Sequence, residues 1–176
     1  MKANVLLPGA LGLALLSACA PTAQPPAPAP PPVVAAQPPA PPLVRPLGDW
    51  RDAPLTAGAW RWSNATGRST AHFAVPGQAP LLSLTCAASG TVQLVHAGTP
   101  RAATPLAITT SGGIFPLMTD PVLPDASGIT VTLPARAPVL DAMAYSRGRF
   151  VVEVAGLAPS YVPAWPEVAR VVQDCR

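Results

Sequence analysis

Lysine is almost missing from this chain: Lys2 is the only one in 176 residues. Charged residues make up 11% and aromatic residues 5%. No stripe of Lys and Arg interleaved with aromatics exists, which argues against nucleic acid as a partner. Long apolar runs are lacking too. The longest clear one, Val5–Leu16, would span about 18 Å as a helix, well short of a ~30 Å hydrocarbon core. There is no G-x-S-x-G, no phosphate-cradling glycine loop and no H-E-x-x-H. The two histidines, His72 and His96, have no neighbouring Cys or carboxylate cluster, so neither a metal site nor a cofactor is expected. Asp120, Asp125 and Asp141 form a catalytic pair only if the fold brings them together, which spacing alone does not say.

What the chain has in excess is proline, 26 residues in all. Twelve of them fall between Pro21 and Pro46, among Ala, Val and Gln. Proline fixes φ and removes an N–H donor, so this stretch predicts a disordered, extended spacer without helix or sheet. At ~3.1 Å per residue it reaches about 80 Å at most. Its composition suits a plain spacer better than a ligand for a proline-binding groove.

The start of the chain has a short basic segment, Met1-Lys2-Ala3-Asn4, then the apolar run, then Leu16-Ser17-Ala18-Cys19. This resembles the lipobox of bacterial lipoproteins. The resemblance implies a signal peptide over 1–18, cleavage before Cys19, and acyl chains on Cys19 that tether the protein to a lipid bilayer. One chain anchors only marginally, and two or three hold firmly. Ala20 in the next position implies sorting to the outer membrane, with the domain facing the periplasm. The expected organisation is therefore a leader (1–18), a lipidated cysteine with a proline-rich linker (19–46), and a small globular domain (47–176). Without Lys2 the charge is nearly balanced, ten arginines against eight acidic residues.

With Cys19 assigned to lipid, Cys86 and Cys175 remain, the number needed for one disulfide in an oxidising compartment. Leu82, Leu84 and Cys86 alternate on one face of a predicted strand. Val168, Val171, Val172 and Cys175 follow helical spacing. Each cysteine thus lies on the apolar face of its element, and a Cys86–Cys175 bridge would staple the last helix to a sheet.

Within the domain, alternating segments predict strands at Trp60–Trp62, 71–75, 80–86, 90–96, 104–110, 113–119, 129–133 and 147–155. Helices are predicted over Pro138–Tyr145 and from about Pro166, each with Pro at its first position. The expected fold class is mostly β, a small antiparallel sandwich or open barrel, with two short helices near the C-terminus.

Candidate binding residues are few. Arg147 and Arg149, alternate residues of one predicted strand, could grip a carboxylate of a cell-wall peptide or an acidic loop of a partner. Against that, a solvated face with Arg149 paired to Glu153 is the simpler reading. Trp50 lies in a polar lead-in loop and is the best candidate for an exposed aromatic contact. Trp60 and Trp62 share a strand face and predict core, and Trp165 predicts a hydrophobic staple at a helix start.

The segments Leu133-Pro134-Ala135-Arg136, Ser146-Arg147-Gly148-Arg149-Phe150, Trp165-Pro166-Glu167 and Asp174-Cys175-Arg176 resemble uncharacterised lipoproteins of Gram-negative bacteria. A weaker likeness is to membrane-bound lysozyme inhibitors, small lipid-anchored β domains with a disulfide. The expected function is a membrane-anchored, non-enzymatic binding or structural module whose partner is a periplasmic protein or peptidoglycan. A lysozyme-inhibitor-like protein is the second expectation and a cell-envelope hydrolase the third.

Overall fold

A computed structural model describes residues 42–43, 48–65, 67–87, 90–99, 103–122 and 126–176. The expected leader over 1–18, Cys19 with its expected lipid, nearly all of the proline-rich segment and Asp125 lie outside the described residues. No helix among the described residues is long and apolar enough to cross a membrane.

Alternation of apolar and polar residues sets the strands. The first sheet is built from β1 (Ala59–Ser63), β2 (Thr70–Ala74), β3 (Leu82–Ala87), β4 (Thr91–His96) and β7 (Ile129–Pro134), in the order β1-β2-β3-β4-β7. The second holds β5 (Pro105–Thr110), β6 (Gly113–Met118), β8 (Arg149–Val154) and β9 (Ser160–Pro163), in the order β6-β5-β8-β9. Every pairing is antiparallel. The sheets are not closed into a barrel, and the expected mostly β, antiparallel class with two helices near the C-terminus is the one present.

The inward faces follow from period two. Ala71 and Phe73, Leu82 and Leu84, Val92 and Leu94, and Ile129, Val131 and Leu133 line the first sheet. Leu106, Ile108, Phe150, Val152, Val154 and Val162 line the second. Burying each large side chain contributes about 1.5 to 3 kcal/mol. Trp60 tilts against Phe73 with ring centroids 5.4 Å apart, and its indole N–H donates to the Pro163 carbonyl at 2.8 Å, tying β1 to β9. Gly58 holds φ at +143°, and a Cβ there would come within 2.9 Å of the Phe73 ring.

Two helices close the core. The first, α1 (Pro138–Ala144), buries Val139, Leu140 and Met143, and the second, α2 (Pro166–Asp174), buries Val168, Val171 and Val172. Both start at a proline, whose missing N–H is one the first turn leaves unpaired anyway. The Cys86 and Cys175 sulfurs lie at bonding distance, 2.17 Å, with Cα atoms 5.3 Å apart, so α2 is stapled to β3.

Two details depart from the sequence pattern. Strand β9 was not anticipated: it has four residues and ends at Pro163, a residue that weakens any strand signal. The outward face of β8 is not solvated either. Val151 is 1% exposed and Glu153 6%, and Glu153 accepts a hydrogen bond from the Thr109 hydroxyl at 3.0 Å.

Candidate functional site

Arg147 and Arg149 do not form the expected pair on an exposed strand. Arg147 lies in the bend before β8, where its backbone N–H donates to the Ser111 hydroxyl. Arg149 opens β8, is half-buried, and its guanidinium donates to the Ala53 carbonyl. That contact fixes the lead-in loop, and Glu153 is engaged by Thr109 instead of Arg149. Trp50 is half-buried with the Arg51 guanidinium 4.7 Å above its ring.

The exposed aromatic surface lies elsewhere. Trp62 follows Trp60 on the same face of β1 but lies beyond the core, 37% exposed, beside α2. Trp165, just before α2, is 43% exposed. The Tyr145 hydroxyl accepts a long hydrogen bond from Gln173 of α2 at 3.4 Å.

A connected set of polar groups fixes Trp62. Its indole N–H donates to the Ser69 hydroxyl at 2.8 Å, and that hydroxyl donates to Asp174 Oδ2 at 2.6 Å. Arg170 Nε donates to both Asp174 oxygens, at 2.9 and 3.0 Å, across one turn of α2. The same guanidinium stacks 4.7 Å over the Trp62 ring. The Ser69 hydroxyl, and after it Arg170, hold the Asp174 carboxyl below the usual carboxylate range. Asp174 directly precedes Cys175, so the disulfide anchors this end of the network.

Two open concavities flank Arg170. One, about 430 Å³, is lined by Trp62, Pro166, Glu167, Ala169, Arg170 and Gln173. The other, about 490 Å³, is bordered by Asn64, Gly67, Arg68, Ser69, Arg170 and Asp174 among others. Glu167 Oε2 is buried without a hydrogen-bond partner among the described residues. Its place in the first turn of α2, at the positive end of the helix dipole, offsets part of that cost.

The histidines are structural. His72 Nδ1 lies 2.8 Å from the Ser83 hydroxyl. His96 is 3% exposed, with Nδ1 2.7 Å from the Ala97 carbonyl and Nε2 2.9 Å from the Ser160 hydroxyl. The carbonyl can only accept, so Nδ1 carries the proton and Nε2 accepts from Ser160. Burial lowers the His96 pKa, the hydrogen bond to Ala97 opposing it. This is a Ser–His pair in composition, but Ser160 is 4% exposed and neither concavity is lined by either residue. It joins β4 to β9 across the two sheets. Among the described residues no three His, Cys, Asp or Glu gather as a metal-binding group.

No protein-family model matches this chain, no curated protein matches its sequence, and no solved structure matches it.

Sequence reasoning missed Trp62, Arg170 and Ser69 as one site. The available signals were the spare tryptophan after Trp60 and the Arg170–Asp174 pair at helical spacing, which reads first as simple helix support.

Proposed function

We propose that this protein is a lipid-anchored envelope protein, tethered to the outer membrane through Cys19, whose domain is a binding module facing the periplasm. The Trp62–Arg170 surface is its contact face. The observation that carries the reading is a partly exposed tryptophan clamped under an arginine, on a helix stapled by a disulfide and flanked by two open concavities. Trp, Tyr and Arg are the residues that dominate interface energetics, and rigidity lowers the ordering cost of binding. The anchoring half rests on the lipobox resemblance of Leu16-Ser17-Ala18-Cys19.

Two measurements on protein produced in a Gram-negative host test this. Intact mass from the membrane fraction should show loss of residues 1–18 and added acyl chains, and a Cys19→Ser chain should lack them. A photo-crosslinking amino acid at Gln173 should trap an envelope component, whereas the same group at Ile114 on β6 should not. An unlipidated mass overturns the anchoring, and equal labelling from both positions overturns the contact face.

A further inference from the structure

We infer that the Arg170 surface is a receptor for a carboxylate carried next to a small apolar group, as at the C-terminus of a peptide. The inference rests on the proposed contact face and names its ligand chemistry.

The argument starts from how Arg170 is held. A surface arginine normally loses rotamer freedom when it binds. Here most of that freedom is gone before any ligand arrives: Nε is fixed on both Asp174 oxygens and the guanidinium carbon lies 4.7 Å over the Trp62 ring. The Arg170 side chain is nonetheless 58% exposed. Only Nε is used on Asp174, and among the described residues the four Nη N–H groups have no acceptor, which leaves them for a ligand. A guanidinium held at Nε and over a ring, with its outer edge toward solvent, is suited to taking a carboxylate by two parallel hydrogen bonds.

The charges around it point the same way. The Asp174 carboxylate is already met by the Ser69 hydroxyl and Arg170 Nε. Arg68 borders the same concavity, and its side chain has no partner among the described residues. Two cations therefore face one neutralised carboxylate on that side, an excess suited to one negative charge. On the other side of Arg170 the wall holds Trp62, Pro166 and Ala169 together with Glu167 and Gln173. The Glu167 carboxylate repels a second anion there, so the ligand's carboxylate belongs on the Arg68 side and the apolar members take its apolar group. A bare phosphate uses the first feature and not the second. This gives the carboxylate-binding role that the sequence suggested for Arg147 and Arg149 to a different pair, Arg170 and Arg68.

The test is an NMR titration of the full chain carrying Cys19→Ser. The probes are N-acetyl-alanyl-alanine with a free carboxylate, the same dipeptide as its carboxamide, and inorganic phosphate. The free acid should shift the Arg170 Nε–H and Trp62 indole N–H resonances in a saturable way, and the amide should not. Arg170→Lys keeps the charge but loses the fork, and should weaken binding about ten-fold or more. Arg68→Ala, which touches no part of the Trp62 network, should weaken it several-fold. Equal shifts from acid and amide, phosphate binding as tightly as the dipeptide, or shifts unchanged by both variants would each overturn the assignment. None of those results alters the crosslinking outcome at Gln173, so the contact face stands or falls separately.

Discussion

Removing the Cys86–Cys175 bridge should cost this domain a large share of its stability while leaving the contact face in place. The bonded residues are 89 apart in sequence, so the bridge closes a long loop in the unfolded chain. In the loop-entropy treatment that is worth about 4 to 5 kcal/mol at 25 °C. Taking about 2.1 cal/mol/K of unfolding entropy per residue over a domain of about 130 residues, the melting temperature should fall by about 15 °C. The contribution acts mainly on the unfolded state, which brings two further consequences. The native network of Trp62, Ser69, Arg170 and Asp174 should survive, because its hydrogen bonds do not pass through sulfur. The urea m-value should rise, because the uncrosslinked chain exposes more surface on unfolding. The assay is urea unfolding of the Cys86→Ala, Cys175→Ala double variant against the parent, both carrying Cys19→Ser so that no free thiol can exchange. Circular dichroism and tryptophan fluorescence serve as parallel probes. A loss below about 1 kcal/mol would refute the loop-entropy reasoning. A large loss with an unchanged m-value and a displaced Trp62 indole resonance would instead mean that the bridge holds α2 in the native state.

The structure makes two other stability predictions. Burial depresses the His96 pKa below its ordinary 6.5, so on acidification the unfolded chain takes up a proton before the folded one does. The His96 contribution should therefore be fully present above pH 6.5 and decline as pH falls through 6.5 toward the lowered folded value. Urea midpoints measured from pH 7.5 to pH 5 should show this decline, and His96→Gln should flatten it; a parallel decline in the variant would contradict the assignment. At Gly58, where φ is +143° and a Cβ would lie 2.9 Å from the Phe73 ring, an alanine should cost about 2 to 4 kcal/mol through backbone strain and overpacking. Gly48→Ala is the control: its φ is +123° with nothing within 4 Å, so it should cost less, and equal losses in thermal unfolding would mean that contact with Phe73 is not the cause.

Much of the fold was legible because it rests on short-range patterns. Ile129, Val131 and Leu133 against Thr130 and Thr132 could only be a half-buried strand, and the proline-started segments at Pro138 and Pro166 could only begin helices. Cys86 and Cys175 could be paired because each lay on the apolar face of its own element, without knowledge of how those elements meet. The pattern failed where a neighbour outside the window decides the outcome. Glu153 looks like a solvent-facing acid by alternation, yet Thr109, 44 residues away, buries it with a hydrogen bond. Strand β9 exists because β8 offers it partners at Phe150, Val151 and Val152, and its own four residues do not demand it.

The same limit explains why the contact face was hidden. Trp60 and Trp62 are identical in local signal: both lie on one face of β1, two residues apart. Their fates diverge because Trp60 lies over Phe73 and reaches Pro163, whereas Trp62 pairs with Ala71 in the register and meets α2, more than 100 residues later. An Ala71 methyl cannot cover an indole as a phenyl ring can, so Trp62 takes its cover from a guanidinium instead. Arg170 in turn reads locally as half of an i, i+4 ion pair, a feature worth a few tenths of a kcal/mol on any helix. The long-range contact with Trp62 is what changes its meaning, since a guanidinium held over a ring, its outer N–H groups without an acceptor among the described residues, can recognise a ligand, whereas a freely rotating surface arginine only adds charge. The site is therefore a property of the β1–α2 contact and could be read only after the two elements were placed side by side.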